Sequence, residues 1–378
     1  MVDFDLSEEQ RAIRDLAHDF AQGEIAPIAA EYDERGEFPL ELLPKAHRAG
    51  LLNLEVPEEW GGVGLNTFEA ALIAEEMGAA CAGITTSLLG NGLALLPIIF
   101  HGTPEQKERF LPPFCAAPRL AAFCLTEAAA GSDFAAVRTT ARCEGDEYVL
   151  EGTKTFITNG GLAELYVVIA STNRRRGARG LSAFVVPAGL PGLSTGKKER
   201  KMGQRASDTC EVIFDSVRIP ADNLLNRQGR GFRITIETLN RARVGIAAIS
   251  VGLARSAFEV ARDYARQRVQ FGQPIASHQA VQLMLSDMAM AVETARLLTW
   301  RAAQAFDRDA PDAERYSAMA KCYASDVAMQ VSTDAVQVLG GYGYMRDYPV
   351  EKYMRDAKLL QIYEGTNQIQ RLMIARRL

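Results

Sequence analysis

The sequence predicts an α+β, multidomain chain with an N-terminal helical domain, a middle β domain of barrel-like or sandwich form, and a C-terminal four-helix bundle. Two observations carry this prediction. Apolar residues recur at intervals of three and four toward both ends, whereas short β-branched and aromatic runs fill the centre. The length of 378 residues is about two and a half times a ~150-residue domain, which leaves room for three units. The expected boundaries are 1–121, 122–231 and 232–378.

The first helix starts after Ser7, which forms a capping box with Gln10, and Ile13, Leu16, Ala17 and Phe20 follow on one face. The Gly/Pro-rich stretch Val56–Gly64 breaks the pattern. Helical segments resume over Thr67–Gly78 and Thr103–Leu111, the second with Thr103 as N-cap and Pro104 in its first turn. Tyr148–Leu150, Lys154–Thr158, Tyr166–Ala170, Leu181–Pro187 and Cys210–Phe214 read as strands. The basic run Asn173–Gly180 lies between two of them and reads as a solvated hairpin tip. From Gly231 helical periodicity returns, and Val281, Met284, Leu285, Met288, Val292, Ala295, Leu298 and Thr299 form a core stripe of the bundle.

Composition excludes several classes. With 42 Lys and Arg against 47 Asp and Glu, the net charge is −5, so no basic excess is available for a nucleic-acid backbone. Charged residues at 24% and hydrophobic ones at 48% are those of a soluble globular chain. Residues 1–20 are mixed in charge and lack the regions of a secretory or transit signal. Apolar runs such as Leu93–Phe100 are too short for a membrane span. The six cysteines are scattered without a CxxC pair or a nearby His, which predicts reduced thiols, no metal site and a cytoplasmic setting. The pairs Gly62/Gly64, Gly229/Gly231 and Gly341/Gly343 lack a third glycine, so no GxGxxG is present, and there is no P-loop.

Three clusters can carry chemistry. In Cys124–Ala136, Gly131 and Ser132 would let backbone amides approach an anion, or form an ordinary Gly-Ser-Asp turn. In Gln337–Gly343 the glycine pair fits a helix C-cap. In Gln361–Gln370, Glu364 stands among Leu359, Leu360, Ile362 and Tyr363. It is either a solvated helix-end Glu or a carboxylate whose apolar surroundings raise its pKa toward that of a general base.

Taken in this order, the clusters resemble the acyl-CoA dehydrogenase family over essentially the whole chain. CLTEAAAGSD (124–133) and the stretch from Gln337 through Asp356 match its two signatures; TKTFITNG (153–160), RVQFG (268–272) and YEGTNQIQ (363–370) match further landmarks. The text is most similar to medium-chain members, as in AAEYDERGEFP (29–39), KMGQRASDT (201–209) and the run from Tyr348 to Leu372.

The resemblance implies the acyl-CoA dehydrogenase fold, FAD as cofactor, and desaturation of a fatty acyl-CoA thioester to the trans-2-enoyl-CoA. It implies Glu364 as the base for the α-proton, its backbone N–H as a donor to the carbonyl, and loss of the β-hydrogen as hydride to flavin N5. Phe123, Leu125, Thr126, Gly131 and Ser132 should line the flavin, with Ser132 also near CoA. Phe156 and Thr158 take the place of the family's Trp and Thr against the ring. Arg268, Phe271, His278, Gln279, Gln337, Gly340 and Gly341 should reach the FAD of a neighbouring subunit; Thr366 and Gln368 should bind the adenine-side phosphate or ribose. Arg243 should hold the CoA adenosine end, and Tyr363 and Gly365 flank the substrate. Two departures matter: Asn240 replaces an Asp that contacts CoA, and Leu89 replaces a Glu at the pocket base. The implied partners are an acyl-CoA, an electron-transferring flavoprotein and further copies of the chain in a homotetramer. A short- or branched-chain dehydrogenase or an oxidase shares the same residues.

Overall fold

The computed structural model describes residues 5–378. Met1–Phe4 lie outside the described residues, and so does the part of the reading of residues 1–20 that falls on them.

Seven helices come first: α1 (Glu8–Phe20), α2 (Ala29–Arg35), α3 (Leu42–Arg48), α4 (Thr67–Ala80), α5 (Ala82–His101), α6 (Pro104–Phe110) and α7 (Pro112–Ala116). Ser7 and Thr103 form the capping boxes that open α1 and α6, and Asn66 forms a third on α4. On α1, Ala17 and Phe20 are buried, but Leu16 is 49% exposed and so departs from the expected face.

The middle part is one eight-stranded sheet of β1 (Ala121–Cys124), β2 (Thr140–Glu144), β3 (Glu147–Thr158), β4 (Leu165–Ser171), β5 (Leu181–Pro187), β6 (Leu193–Lys198), β7 (Thr209–Pro220) and β8 (Leu224–Leu225). The order is β6-β7-β3-β2-β4-β5-β8, with β1 parallel to β4. The two runs read separately as Tyr148–Leu150 and Lys154–Thr158 are one strand, β3, broken by register shifts against β7. Alternating faces give the sheet two cores. Val167, Ile169, Ala183 and Val185 pack against Leu95 and Ile98 of α5 and Phe110 of α6. Their neighbours Tyr166, Val168, Phe184 and Val186 close on Leu150, Val212 and Phe214 across the sheet's own fold. The basic run forms a short 3-10 segment, Arg174–Gly180, that links β4 to β5, and its arginines are exposed.

The last part holds α8 (Gly231–Gln267), the small hairpin β9 (Val269–Gln270) and β10 (Gln273–Pro274), α9 (Gln279–Asp307), α10 (Ala313–Leu339), α11 (Val350–Leu360) and α12 (Asn367–Ala375). Helices α8 to α11 share one core, to which α4 also contributes. Helices α4 and α8 approach closely because of glycine: a Cβ on Gly252 would lie 2.0 Å from the Glu75 carbonyl oxygen. The expected stripe on α9 buries Met288, Val292, Ala295 and Thr299, while Leu283 and Met290 lie on a second, exposed apolar face. Helices α5 and α8 are long and apolar enough to cross a membrane by length and composition. The sequence reading saw only shorter runs there; 67% of each apolar window is buried within the protein, as in a core helix.

Candidate active site

A cavity of about 1070 Å³ opens where the three parts meet. Strands β1 and β3 contribute Phe123, Phe156 and Thr158, and the loop after β1 contributes Leu125, Thr126, Gly131 and Ser132; α5 contributes Leu89, α8 contributes Arg243, and the turn before α12 contributes Tyr363, Glu364, Gly365 and Thr366. Residues from distant parts of the sequence are thus brought to one space because α5 and α8 run along the sheet.

Glu364 lies on the turn between α11 and α12 rather than on a helix. Its φ of +51° is a left-handed conformation that non-glycine residues seldom adopt. Its backbone carbonyl accepts from Arg243 Nε at 3.0 Å and from Gln370 Nε2 at 3.2 Å. Carboxylate atom Oε2 is buried and has no hydrogen-bond partner. Burial pushes this carboxyl up to about 7, and the positive charges of Arg243 and Lys321 oppose the shift. Of the two readings left open by the sequence, the structure shows the carboxylate in apolar surroundings.

Arg243 is 2% exposed, and its own acidity is increased by burial, to about 10. Asn240 does not line the cavity. Its Oδ1 accepts from Arg243 Nη1 at 2.6 Å, so it braces the arginine from behind. Gln368 also stays outside the cavity, exposed on α12. Arg268, Gly340 and Gly341 line a separate cavity of about 540 Å³ on another face, beside Tyr264 and Tyr342. Phe271 is 94% exposed there and meets His278 edge-on, and Gln279 and Gln337 are exposed.

Three features escaped the sequence reading. Glu55 lines the main cavity, and burial pushes it up to about 7 against the pull of Arg241. Lys321 is wholly buried below the Glu364 turn. Lys154, also wholly buried, donates to Glu127 at 2.8 Å and to the Leu125 carbonyl at 2.9 Å, which ties the 124–133 loop to β3.

The cavity wall fits a planar, polar cofactor. Phe156 is 62% exposed toward open space, and the hydroxyls of Thr126, Ser132 and Thr158 donate to no group among the described residues. Hydroxyl donors beside an aromatic face suit an isoalloxazine ring and its ribityl chain.

The cavity thus sets a buried, unpartnered carboxylate oxygen opposite a wall that fits a flavin. Family models named acyl-CoA dehydrogenase N-terminal, middle and C-terminal domain match residues 7–118, 122–217 and 229–378. A short-chain-specific acyl-CoA dehydrogenase of Clostridium acetobutylicum is 42% identical over 99% of both chains. A solved structure of the electron transferring flavoprotein of Acidaminococcus fermentans is 45% identical, covers 100% of this chain and 99% of its own, and has a TM-score of 0.97. Butyryl-CoA dehydrogenase from Megasphaera elsdenii is 41% identical with the same coverage and a TM-score of 0.97. The chain belongs to the acyl-CoA dehydrogenase family.

Proposed function

We propose that the protein carries out α,β-dehydrogenation of a fatty acyl-CoA, with Glu364 as the base. The observation that carries this reading is the buried, unpartnered Oε2 of Glu364 facing the shared cavity. Removing an α-proton from a thioester requires a carboxylate with no competing partner and a pKa near working pH, and burial supplies both. The Glu364 N–H makes no hydrogen bond among the described residues, which leaves it free to donate to the thioester oxygen as charge develops there. Arg243 and Gln370 hold the carbonyl of the same residue, so the base and this donor keep a fixed relation. Phe123, Leu125, Thr126, Ser132, Phe156 and Thr158 would hold FAD, which would supply the two-electron acceptor for the β-hydrogen. Leu89 and the leucines of α5 keep water from the reacting carbons.

The medium-chain likeness of the sequence favours a medium acyl chain. A short chain is the second reading, favoured by the likeness to the butyryl-CoA and short-chain-specific enzymes. Likeness to the Acidaminococcus fermentans chain supports an electron-transferring flavoprotein as acceptor. The exposed Phe271 and the second cavity support a homo-oligomer, a tetramer by family likeness, and six free cysteines support a cytoplasmic setting. The purified protein should be yellow, and anaerobic titration with octanoyl-CoA or butyryl-CoA should bleach it. A colourless protein that takes up no FAD, or a Glu364→Gln variant that bleaches at the normal rate, overturns the reading.

A further inference from the structure

Lys321 sits on α10, wholly buried, and forms no ion pair with a carboxylate among the described residues. Its Nζ donates to the Gly365 carbonyl at 2.9 Å and to Asn367 Oδ1 at 3.0 Å. An ammonium taken from water without a counter-ion is among the costliest groups a core can hold. Both of its oxygen partners lie within three residues after Glu364 in the chain. The turn they form is strained: Glu364 has φ +51° and Gly365 φ +93°, where a Cβ would lie 2.7 Å from Gln370 Nε2. A turn of this kind persists only where its surroundings hold it. Arg243 and Gln370 grip the Glu364 carbonyl, while Lys321 and Gln370 grip that of Gly365.

We propose that Lys321 is a positioning residue for the base: it pins the Gly365 carbonyl so that the turn presents the Glu364 carboxylate to the cavity, and its charge favours the ionised, proton-accepting form. The inference rests on the reading of Glu364 as the base. The charges around the pair are few. Glu364 faces Arg243 from α8 and Lys321 from α10. Lys321 faces Glu364, Arg243, and Cys322 and Asp326 of its own helix. Arg371 of α12 is engaged by Asp326 at 2.6 Å. Burial pushes Lys321 down to about 8, so it is still charged over the range in which Glu364 titrates.

The test uses the FAD-loaded protein as Lys321→Gln and Lys321→Met. Gln keeps a hydrogen-bond donor without charge; Met keeps neither. The probe is 3-thiaoctanoyl-CoA, whose α-proton can be removed but whose β-position carries no hydrogen. Its enolate gives a long-wavelength band against oxidised flavin, which reports proton transfer at equilibrium rather than turnover. The midpoint of the band should move up by about one pH unit or more in both variants, since removing an opposite charge beside a carboxylate shifts it by that order. Octanoyl-CoA bleaching should slow more in Met than in Gln. A Gln variant that keeps its flavin and its wild-type melting profile, yet shows the wild-type midpoint, overturns the proposal, even if the Met variant fails to fold. An undiminished band in Glu364→Gln instead removes Glu364 as base, and this inference with it, while leaving the Lys321 titrations unchanged as its signature.

Discussion

Arg243 Nε donates to the backbone carbonyl of Glu364 at 3.0 Å, while Nη1 of the same guanidinium donates to Asn240 Oδ1 at 2.6 Å. One planar fork therefore joins the base turn to α8. A lysine offers a single point charge and cannot hold both acceptors in that geometry. Arg243→Lys should keep the flavin but slow its bleaching by acyl-CoA about tenfold or more, an effect of about 1.4 kcal/mol on the barrier. Stopped-flow reduction under anaerobic conditions measures it.

The raised pKa of Glu364 makes two linked predictions. Proton abstraction needs the carboxylate, so the reduction rate of the free enzyme should rise with pH through about 7. Stability should move the other way. Between the ordinary 4.5 and about 7 the folded carboxyl holds a proton that the unfolded one has lost, so stability falls as pH rises across that window and does not return above it. Glu364→Gln should therefore melt higher than wild type at pH 8, by an amount on the order of 1–3 kcal/mol, with little difference at pH 4.5. Calorimetry at the two pH values checks the sign.

Leu89 lies on the cavity wall where α5 faces the reacting space. Leu89→Ala adds room there, and should raise kcat/KM for longer acyl chains relative to butyryl-CoA. A hydrophobic pocket discriminates by about 1–3 kcal/mol per methylene at most, so the shift should lie between about tenfold and 200-fold. Competition assays between butyryl-, octanoyl- and palmitoyl-CoA read this ratio directly.

Local chemistry made much of the scaffold legible. Ser7 and Thr103 cap helices through side chains three residues from their partners, and Leu181–Pro187 is a β-branched and aromatic run bounded by turn residues. Strand β6 was not readable, because Leu193–Lys198 is polar and mostly exposed and is ordered by pairing with β7 rather than by a buried face. The site divides in the same way. Glu364 stood out because apolar residues surround it within the sequence itself. Glu55 and Lys321 did not, because their environments are assembled by folding: the oxygen that holds Lys321 comes from Gly365, 44 positions away. The resemblance put Asn240 where an Asp contacts CoA, and only packing shows that it faces Arg243.

Lys154 and Glu127 form a pair in which the lysine is wholly buried and the glutamate 8% exposed. Glu127 also accepts from the Thr139 hydroxyl and from the backbone N–H of Arg138 and Thr139, so it joins β3 to the loop that carries Thr126. Lys154→Met leaves a buried carboxylate without its cation and should cost about 3–5 kcal/mol. The double variant with Glu127→Gln removes the uncompensated charge and should recover much of that loss. If the two substitutions add instead, the pair is not coupled as its 2.8 Å distance implies. Denaturant unfolding of the four proteins closes the cycle.

Among the described residues, the second cavity shares no lining residue with the first. Arg268 lies over the Tyr342 ring at 5.4 Å, with Gly340 and Gly341 beside it, and Phe271 projects from the β9–β10 hairpin almost fully exposed. An aromatic side chain held out on a tight hairpin costs apolar exposure unless another surface covers it. If that surface is a neighbouring copy and Arg268 reaches its cofactor phosphates, the two residues should fail differently. Phe271→Asp should loosen the assembly, seen as smaller species by sedimentation. Arg268→Ala should leave the assembly intact but weaken FAD retention by about tenfold or more, because a forked, charge-assisted contact to phosphate is lost. Flavin content after dilution and gel filtration separates the two effects. A wild-type monomer that keeps its full complement of FAD would show that the second cavity serves no neighbour.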